Sequence, residues 1–396
     1  MVEREGRAVR VRLTVGALAG VLGALAAVLL AFGAMASRSV EVYTAGELTG
    51  EYVDPPPGVH TLVLVGDIMP WDRASEYLRR HGAEYPYRAT APLLRTADLA
   101  VGNLEGPVSA SAELRQKRDA YRVPPWTLQG LSWAGFDLVS LANNHVLDCG
   151  PEGLLETFRH LDAAGIGYFG AGSTRAAALE PKIVRVGPQR VALCGVVAGE
   201  KRLADGGTPA EALGREQVRG VARAYQEGEA SSGTAVATDR SLDEMVRRAR
   251  EGADVVVVFA HSGIRYHREP TPLQRQLAQA AIDAGADLVV GQHAQFWQPV
   301  ELYRGKPILY GLGNFAFGSA NRRADEGLLA RVQLDAAGLD VVELFPLFIN
   351  NRDETVQYES KVMRGRSAER ALRRLTALSS APLDVERGRA VLRLRR

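Results

Sequence analysis

Side chains that can bind a metal ion or transfer a proton stand at the ends of short apolar runs in this sequence. These runs and the polar residues that close or follow them are TLVLVGD (61–67) with Asp67, ADLAVGN (97–103) with Asn103 and Glu105, FDLVSLANN (136–144) with Asn144 and His145, ADVVVVFAH (253–261) with His261, and ADLVVGQH (286–293) with His293. Carboxylate, amide and neutral imidazole groups supply the oxygen and nitrogen donors that Mn, Fe or Zn ions take. A divalent ion of this kind acidifies water or polarises a phosphoryl or carbonyl oxygen, and a nearby histidine can protonate a leaving group.

The apolar runs themselves predict the elements that position these side chains. They are short, continuous and rich in Val, Leu and Ile, which is typical of strands buried on both faces. Helix signals at 151–164, 241–251 and 271–284 alternate with them, which predicts a layered α/β fold. The carboxyl ends of strands form the ligand crevice of such sheets. A single Asp or His at a strand end is more often a cap or turn residue, so the prediction of a shared polar site rests on all five runs together.

The amino-terminal segment predicts a membrane anchor. Residues 13–36 carry no charge and follow four arginines, and their length matches a helix that crosses the hydrocarbon layer. We favour an uncleaved signal anchor over a signal peptide removed near Ala36, with everything after it outside the cytoplasm. Three further segments follow: a Pro-rich linker at 37–58, the main domain at 59–350, and an Arg-rich carboxyl-terminal extension at 351–396.

Composition excludes several classes of protein. The 396 residues are 46% hydrophobic and 24% charged, as in globular proteins. The 48 basic and 46 acidic residues nearly balance, which argues against a nucleic-acid binder held by phosphate contacts. Two cysteines make no disulfide framework. The Gly-containing stretches at 170–175 and 311–317 lack the third glycine of a dinucleotide fingerprint, and no G-x-S-x-G hydrolase motif occurs.

Six segments in a fixed order resemble the CapA-type poly-gamma-glutamate synthesis (capsule biosynthesis) protein family, a relative of the calcineurin-like metallophosphatases. They are VGDIM (65–69), GNLEGPVS (102–109), SLANNHVLDCG (140–150), FAHSG (259–263), GADLVVGQHAQ (285–295) and QPVELYRGKPILYGLGNFAF (298–317). The ANNH, GADLVVGQH and YGLGNF segments make the resemblance specific.

The resemblance implies a four-layer metallophosphatase-like α/β sandwich with one or two divalent ions at the strand ends. By matching motif, the metal ligands would be Asp67, Asn103, Glu105, Asn144, His261 and His293, and the catalytic residues His145, as the acid beside the leaving group, and Asp67. Three positions depart from the pattern. Met69 stands where metallophosphatases have a histidine, Gln295 replaces the second histidine of the family's last His-x-His, and Ser262 replaces a Trp.

Two functions are compatible with this resemblance. The first is a membrane-anchored, metal-dependent hydrolase or transferase acting on polyglutamate or another envelope polymer. The second is a non-catalytic accessory subunit that holds or exports the polymer beside membrane synthase subunits. An anionic polymer needs cationic contacts, for which Arg265 and His267 are candidates, although the same residues are equally compatible with a solvated turn. Asn314 is a third candidate substrate contact.

Overall fold

The strands assemble into two large mixed sheets, which confirms the predicted α/β class. The computed structural model describes residues 40–51, 55–114, 120–198, 233–234, 239–318 and 324–395, and contacts group Glu41–Arg396 into one unit. Ten described strands form the first sheet: β4 (Gly167–Phe169), β3 (Leu138–Ser140), β2 (Leu99–Leu104), β1 (His60–Met69), β14 (Glu326–Asp335), β15 (Gly338–Phe348), β18 (Arg389–Arg393) and β17 (Asp384–Glu386) side by side, with β13 (Asn314–Phe317) along β1 and β16 (Lys361–Val362) along β15. Six form the second sheet, in the order β11 (Val300–Tyr303), β12 (Lys306–Leu309), β10 (Leu288–Gln292), β9 (Val255–His261), β7 (Gln189–Val197) and β6 (Lys182–Val186), and β5 (Ala171–Gly172) pairs with β8 (Gly233–Thr234).

Helices connect the strands and lie mostly where the sequence predicts them. The described α-helices are α1 (Ala45–Glu51), α2 (Ala74–His81), α3 (Ala91–Arg95), α4 (Leu128–Ala134), α5 (Gly150–Ala163), α6 (Arg175–Ala178), α7 (Asp239–Gly252), α8 (Pro272–Ala284) and α9 (Gly365–Leu378), with 3-10 turns at Tyr85–Tyr87 and Pro125–Thr127. The start of α8 is fixed by a capping box in which Thr271 and Gln274 bond each other's backbone N–H groups. Its end is fixed by Gly285, which adopts a left-handed conformation.

Helices cover one face of each large sheet. Val65 of β1 shares a buried apolar cluster with Leu131 of α4 and Leu154 of α5. Val258 of β9 shares a second cluster with Leu277 of α8. Successive side chains of a strand point to opposite faces, yet nearly every residue of β1 and all of β9 are buried, so both faces of these strands are covered. Each Val or Leu side chain buried in this way contributes about 1.5–3 kcal/mol to folding.

The edge strand β4 of the first sheet contacts the central strand β9 of the second. The rings of Phe169 in β4 and Phe259 in β9 meet edge to face, with centroids 5.3 Å apart. In the first sheet β1, β2 and β3 run parallel, and in the second sheet β7, β9 and β10 run parallel. Each parallel set therefore brings its carboxyl ends, with their polar residues, to one edge of its sheet.

Residues 306–314 (KPILYGLGN) are one apolar run in the sequence but belong to two strands in different sheets. The first four residues are β12 in the second sheet, whereas Asn314 begins β13 in the first. Residues 310–313, here called the crossing segment, connect the two sheets. The bend is possible because Gly313 adopts φ +74°, a conformation that residues with a side chain rarely take.

Hydrogen bonds tie the crossing segment to a strand end of each sheet. The Leu312 N–H donates to the Gly291 carbonyl of β10 (3.1 Å), and the Gly313 carbonyl accepts from the Asp67 N–H of β1 (3.0 Å). A Cβ on Gly66 would lie only 1.8 Å from the Gly313 oxygen. The segment can approach β1 this closely because residue 66 has no side chain.

Two of the predicted domain boundaries need correction. The linker predicted at 37–58 includes α1, whose Leu48 is buried in the main core, and Val42 pairs with Met363. The predicted extension at 351–396 is part of the first sheet, because β18 pairs with β15 along its length. Pairing over this distance in sequence is invisible to a local pattern. The predicted anchor at 13–36 lies outside the described residues, and no helix within them has the length and apolarity needed to cross a bilayer.

We predict that Gly66→Ala destabilises the fold, because its methyl group would push the crossing segment away from β1. The free energy of unfolding should fall by about 1–3 kcal/mol in a urea titration of the purified chain. Gly46→Ala is the matched control, since a Cβ at this exposed position in α1 meets nothing within 4 Å. Equal stability of the two variants would contradict the close approach described above.

Candidate metal centre

A row of polar residues crosses the first sheet where β1 ends. Asp67 of β1 lies opposite Asn103 of β2 on one side and opposite Asn314 of β13 on the other. The Asn103 amide donates to Asp67 Oδ1 (2.8 Å), and the backbone N–H of His293 donates to Asp67 Oδ2 (3.1 Å). The carboxylate is fully buried, and neither of these donors carries a charge.

Two histidines from the second sheet complete the row. His261 Nε2 lies 2.8 Å from Asn144 Oδ1 and 3.0 Å from His293 Nδ1. Its other ring nitrogen lies 3.3 Å from the Asn103 amide. His293 holds its place with φ +83°, which costs a residue with a side chain about 1–3 kcal/mol. The strands therefore bring imidazoles from one sheet against amides from the other.

Glu105, His261 and His293 form a group with the chemistry of a metal site. One ligand atom from each lies within 4.8 Å of the other two, and Glu105 Oε1 is 3.8 Å from His261 Nε2. Both Glu105 and His261 are 1% exposed. A carboxylate and two imidazoles, with the Asn144 oxygen alongside, are a donor set that suits Mn, Fe or Zn. The residues present therefore fit a divalent ion of the predicted class.

Burial perturbs the two titratable groups at the centre of this cluster. It raises the pKa of Asp67 to about 7, although the hydrogen bonds from Asn103 and His293 oppose the rise. It lowers the pKa of His261 well below its usual value, and the nearby His293 and His145 lower it further. His261 is therefore neutral near pH 7, which is the form that ligates a metal.

His145 lies beside this group in an arrangement suited to proton transfer. Its Nδ1 is 2.6 Å from Asp148 Oδ2, and its Nε2 is 3.6 Å from Glu105 Oε1. The ring of Tyr121 stacks on it with centroids 4.0 Å apart, and the Tyr121 N–H donates to Asp148 Oδ2 (2.8 Å). A carboxylate on one ring nitrogen fixes the tautomer and orientation of the imidazole, which directs Nε2 toward the cluster.

The two adjacent asparagines have different tasks. Asn143 is structural: its amide donates to the Leu104 carbonyl (2.9 Å) and to Asn103 Oδ1 (3.1 Å), and its oxygen accepts from the His145 N–H (3.1 Å). Asn144 instead directs its oxygen to His261. One amide thus fixes the turn after β3, and the next one faces the cluster.

The three departures from the expected pattern lie around the same strand ends. Met69, Ser262 and Gln295 are all buried, and Gln295 adopts φ +59°. None of the three provides a carboxylate or an imidazole. Within the described ranges, the group of Glu105, His261 and His293 is the one set of three or more His, Cys, Asp or Glu residues with this spacing.

The candidate substrate contacts lie in two different environments. Arg265 and His267 are exposed in the loop that follows His261, and the His267 carbonyl accepts from the Gln298 amide (2.9 Å). Asn314 is buried next to Asp67. The binding roles of all three remain predictions.

Sequence reasoning assigned no role to Tyr121 or Asp148. Tyr121 lies in a charged segment with no strand or helix period, so no pattern connects it to His145. Asp148 follows His145 by three residues and offered a signal, because that spacing in a turn lets a carboxylate reach an imidazole.

Comparisons with known proteins give one consistent family. The family model "Bacterial capsule synthesis protein PGA_cap" matches residues 61–319. The capsule biosynthesis protein CapA of Bacillus anthracis is 31% identical over 297 residues, which cover 73% of this chain and 67% of that protein. The PGA biosynthesis protein CapA of Bacillus subtilis is 29% identical over 294 residues, covering 72% and 71%. A protein of Mycobacterium tuberculosis named "probable polyglutamine synthesis accessory protein" is 34% identical over 228 residues, covering 57% of each chain.

Among solved structures, a purple acid phosphatase from yellow lupin seeds aligns over 79% of this chain and 55% of its own. The identity is 10% and the TM-score is 0.26, which is too low to identify a shared fold.

We predict a pH-dependent contribution of Asp67 to the stability of the metal-free protein. Its pKa in the folded state, about 7, lies above its ordinary value of 3.8, so the folded state binds this proton more tightly than the unfolded state. The stabilisation is complete below about pH 4 and is lost as pH rises through about 7. The free energy of unfolding of the wild type minus that of Asp67→Asn, measured with a chelator present, should therefore decrease over this interval.

The control for this measurement is Asp254→Asn, because hydrogen bonds from Arg190 lower the pKa of this exposed carboxylate. The difference between the wild type and this variant should not fall with rising pH. A flat or rising difference for Asp67→Asn would show that the carboxylate is not desolvated as described.

Proposed function

This chain belongs to the bacterial capsule synthesis protein family, because the family model spans residues 61–319, and from that membership we propose that it acts in the biosynthesis of poly-gamma-glutamate or a similar capsule polymer. The names of the two CapA relatives and the mycobacterial relative, which refer to capsule, PGA and polyglutamine synthesis, support this process. The partners proposed are the anionic polymer itself and the membrane subunits that synthesise it.

The proposed location is the outer face of the cell membrane. Residues 13–36 form the anchor in this proposal, and their preceding arginines keep the amino terminus in the cytoplasm. Residues 41–396 would then face the growing polymer. The support is the sequence of the amino-terminal segment.

The proposed architecture is a four-layer metallophosphatase-like sandwich. Each large sheet has helices on one face, and the Phe169–Phe259 contact joins the two sheets. In this arrangement the carboxyl ends of both parallel strand sets converge on one crevice.

The proposed activity is that of a metal-dependent hydrolase or transferase acting on the polymer. The observation that carries it is the convergence of Glu105, His261 and His293 within 4.8 Å. These three residues, with Asn144, would hold a divalent Mn, Fe or Zn ion. Such an ion, when bound, supplies a Lewis acid that polarises a substrate oxygen or acidifies a water.

The residues around this group have separate tasks in the proposal. His145 protonates the leaving group from Nε2, while Asp148 holds its Nδ1 and stabilises the imidazolium form. Asp67 positions His293 through the backbone N–H and positions Asn103 through its amide. Arg265 and His267, in the exposed loop after His261, contact carboxylates of the polymer.

The alternative is an accessory subunit without catalysis, which holds or exports the polymer beside the synthase. It is favoured by Met69 and Gln295, since the resemblance to metallophosphatases places nitrogen ligands at these positions and this chain has none there. A site that keeps its fold and binds a single ion is sufficient to hold the polymer without a catalytic step.

We predict that the purified full-length chain, supplemented with Mn, Fe or Zn and then desalted, retains about one ion per chain by elemental analysis. His293→Ala should weaken retention by at least about 10–100-fold, the loss that even an outer-shell partner causes in metal sites. The matched control is His160→Ala, which removes a partly exposed histidine on α5. A wild type without metal, or a His293→Ala variant that keeps it, would contradict the metal-dependent form of the proposal.

We further predict that catalysis is required for polymer formation. In a polymer-producing strain whose own copy is replaced, the Asp67→Ala/His145→Ala variant should lower polymer yield at least tenfold, because a general acid contributes about 10²–10⁴-fold to a rate. Asp243→Ala/His160→Ala is the control pair, and immunoblots establish equal abundance. Normal polymer from the Asp67→Ala/His145→Ala strain would establish the accessory function instead.

A further inference from the structure

Buried side-chain atoms without a hydrogen-bond partner concentrate around the end of β1 and β10. Among the described residues, four of the seven atoms of this kind belong to three amide side chains: Gln292 Oε1 and Nε2, Gln295 Oε1 and Asn314 Oδ1. The three residues, here called the amide cluster, are 1%, 2% and 4% exposed. A buried polar group without a partner is destabilising, so several of them near one another call for a ligand or a function.

Strand register directs two of these side chains into the candidate metal centre. Gln292 lies directly opposite His261, and Asn314 lies directly opposite Asp67. Paired residues of neighbouring strands place their side chains on the same face of the sheet. Because His261 and Asp67 both face the metal centre, Gln292 and Asn314 lie on the same sheet faces and extend toward it.

The third member lies on a segment that is fixed to this centre. Gln295 follows His293 by two residues, and the His293 N–H donates to Asp67 Oδ2 (3.1 Å). Gln295 itself adopts φ +59°, an unfavourable conformation for a residue with a side chain.

The hydrogen-bonding groups and the charge of the amide cluster indicate which class of ligand it binds. Its buried atoms without a partner are three acceptor oxygens and one donor group, all uncharged. A carboxylate or phosphate would face these oxygens and the buried Asp67 without a cation, which is unfavourable. A second divalent ion would find one carboxylate, Asp67, already accepting from Asn103 and His293, whereas oxygen-ligated ions usually take several.

A secondary amide pairs with the donor group and with one of the three acceptor oxygens, since it carries one carbonyl acceptor and one N–H donor and has no charge. We propose that the amide cluster of Gln292, Gln295 and Asn314 is a subsite that binds the linkage amide of a polyamide chain beside the candidate metal centre. The inference rests on the proposed function and deepens it, because it assigns the recognition of the linkage to residues different from those that meet the carboxylates. The linkage N–H donates to an amide oxygen of the cluster, and the linkage carbonyl accepts from Gln292 Nε2.

The test compares two pentamers of gamma-linked glutamate that differ only in N-methylation of their linkages. Calorimetric titration of the full-length chain should give at least about tenfold tighter binding of the unmethylated pentamer, since methylation leaves buried acceptors unpaired. Gln292→Leu and, separately, Gln295→Leu should bring the two dissociation constants to within about twofold. Gln189→Leu is the matched control: this buried glutamine donates to the Asp335 carbonyl (2.7 Å) away from the centre, and the tenfold preference should persist.

Thermal stability gives an independent readout. Gln292→Leu removes amide atoms without partners, so its Tm should stay the same or rise, whereas Gln189→Leu should lower the Tm. A lower Tm for both Gln292→Leu and Gln295→Leu would make these amides structural and overturn the subsite.

The remaining outcomes separate the two proposals. Equal binding of both pentamers by the wild type overturns the subsite but leaves the proposed function in place. Binding of neither pentamer overturns the poly-gamma-glutamate form of the proposed function and the subsite with it. Binding of a neutral oligosaccharide in preference to either pentamer overturns the subsite in favour of a hydroxyl-rich ligand.

Discussion

The surrounding structure depends on one constraint, which is a carboxylate buried where the two sheets meet. An amide and a backbone N–H donate to this carboxylate, but no cationic side chain of the described residues does. Removing Asp67 from water disfavours its charged form, and its pKa accordingly rises to about 7. Its two donors come from different sheets, Asn103 from the first and His293 from the second. The carboxylate therefore links the two sheets at a site where burial disfavours its negative charge. A divalent cation bound there would stabilise that charge.

Meeting this condition requires backbone positions that are themselves unfavourable. His293 and Gln295 adopt positive φ, and Gly66 has no room for a side chain beside the crossing segment. The buried amides without partners add to this local instability. Strained backbone and unpaired polar groups thus concentrate where the strands end, beside the two helix-covered cores. This distribution is expected where a binding function costs the fold some stability.

The sequence predicts most of what is determined locally. The apolar runs identify β1, β2, β9 and β10 and the polar residues at their ends, and the motif order identifies the family, as the family comparison confirms. The crossing segment was missed because its bend depends on a close approach to Gly66 in another sheet. Tyr121 was missed because its contact with His145 comes from an irregular segment. The roles assigned to the site residues, and the membrane anchor at 13–36, stay predictions.

The most direct measurement of the central claim is a crystal structure of the protein grown with Mn²⁺, with diffraction recorded on both sides of the manganese absorption edge. The account predicts one strong anomalous peak that lies about 2.0–2.3 Å from Glu105, His261 and His293 donor atoms. A peak bound elsewhere, or no peak while these three side chains keep their positions, would contradict it.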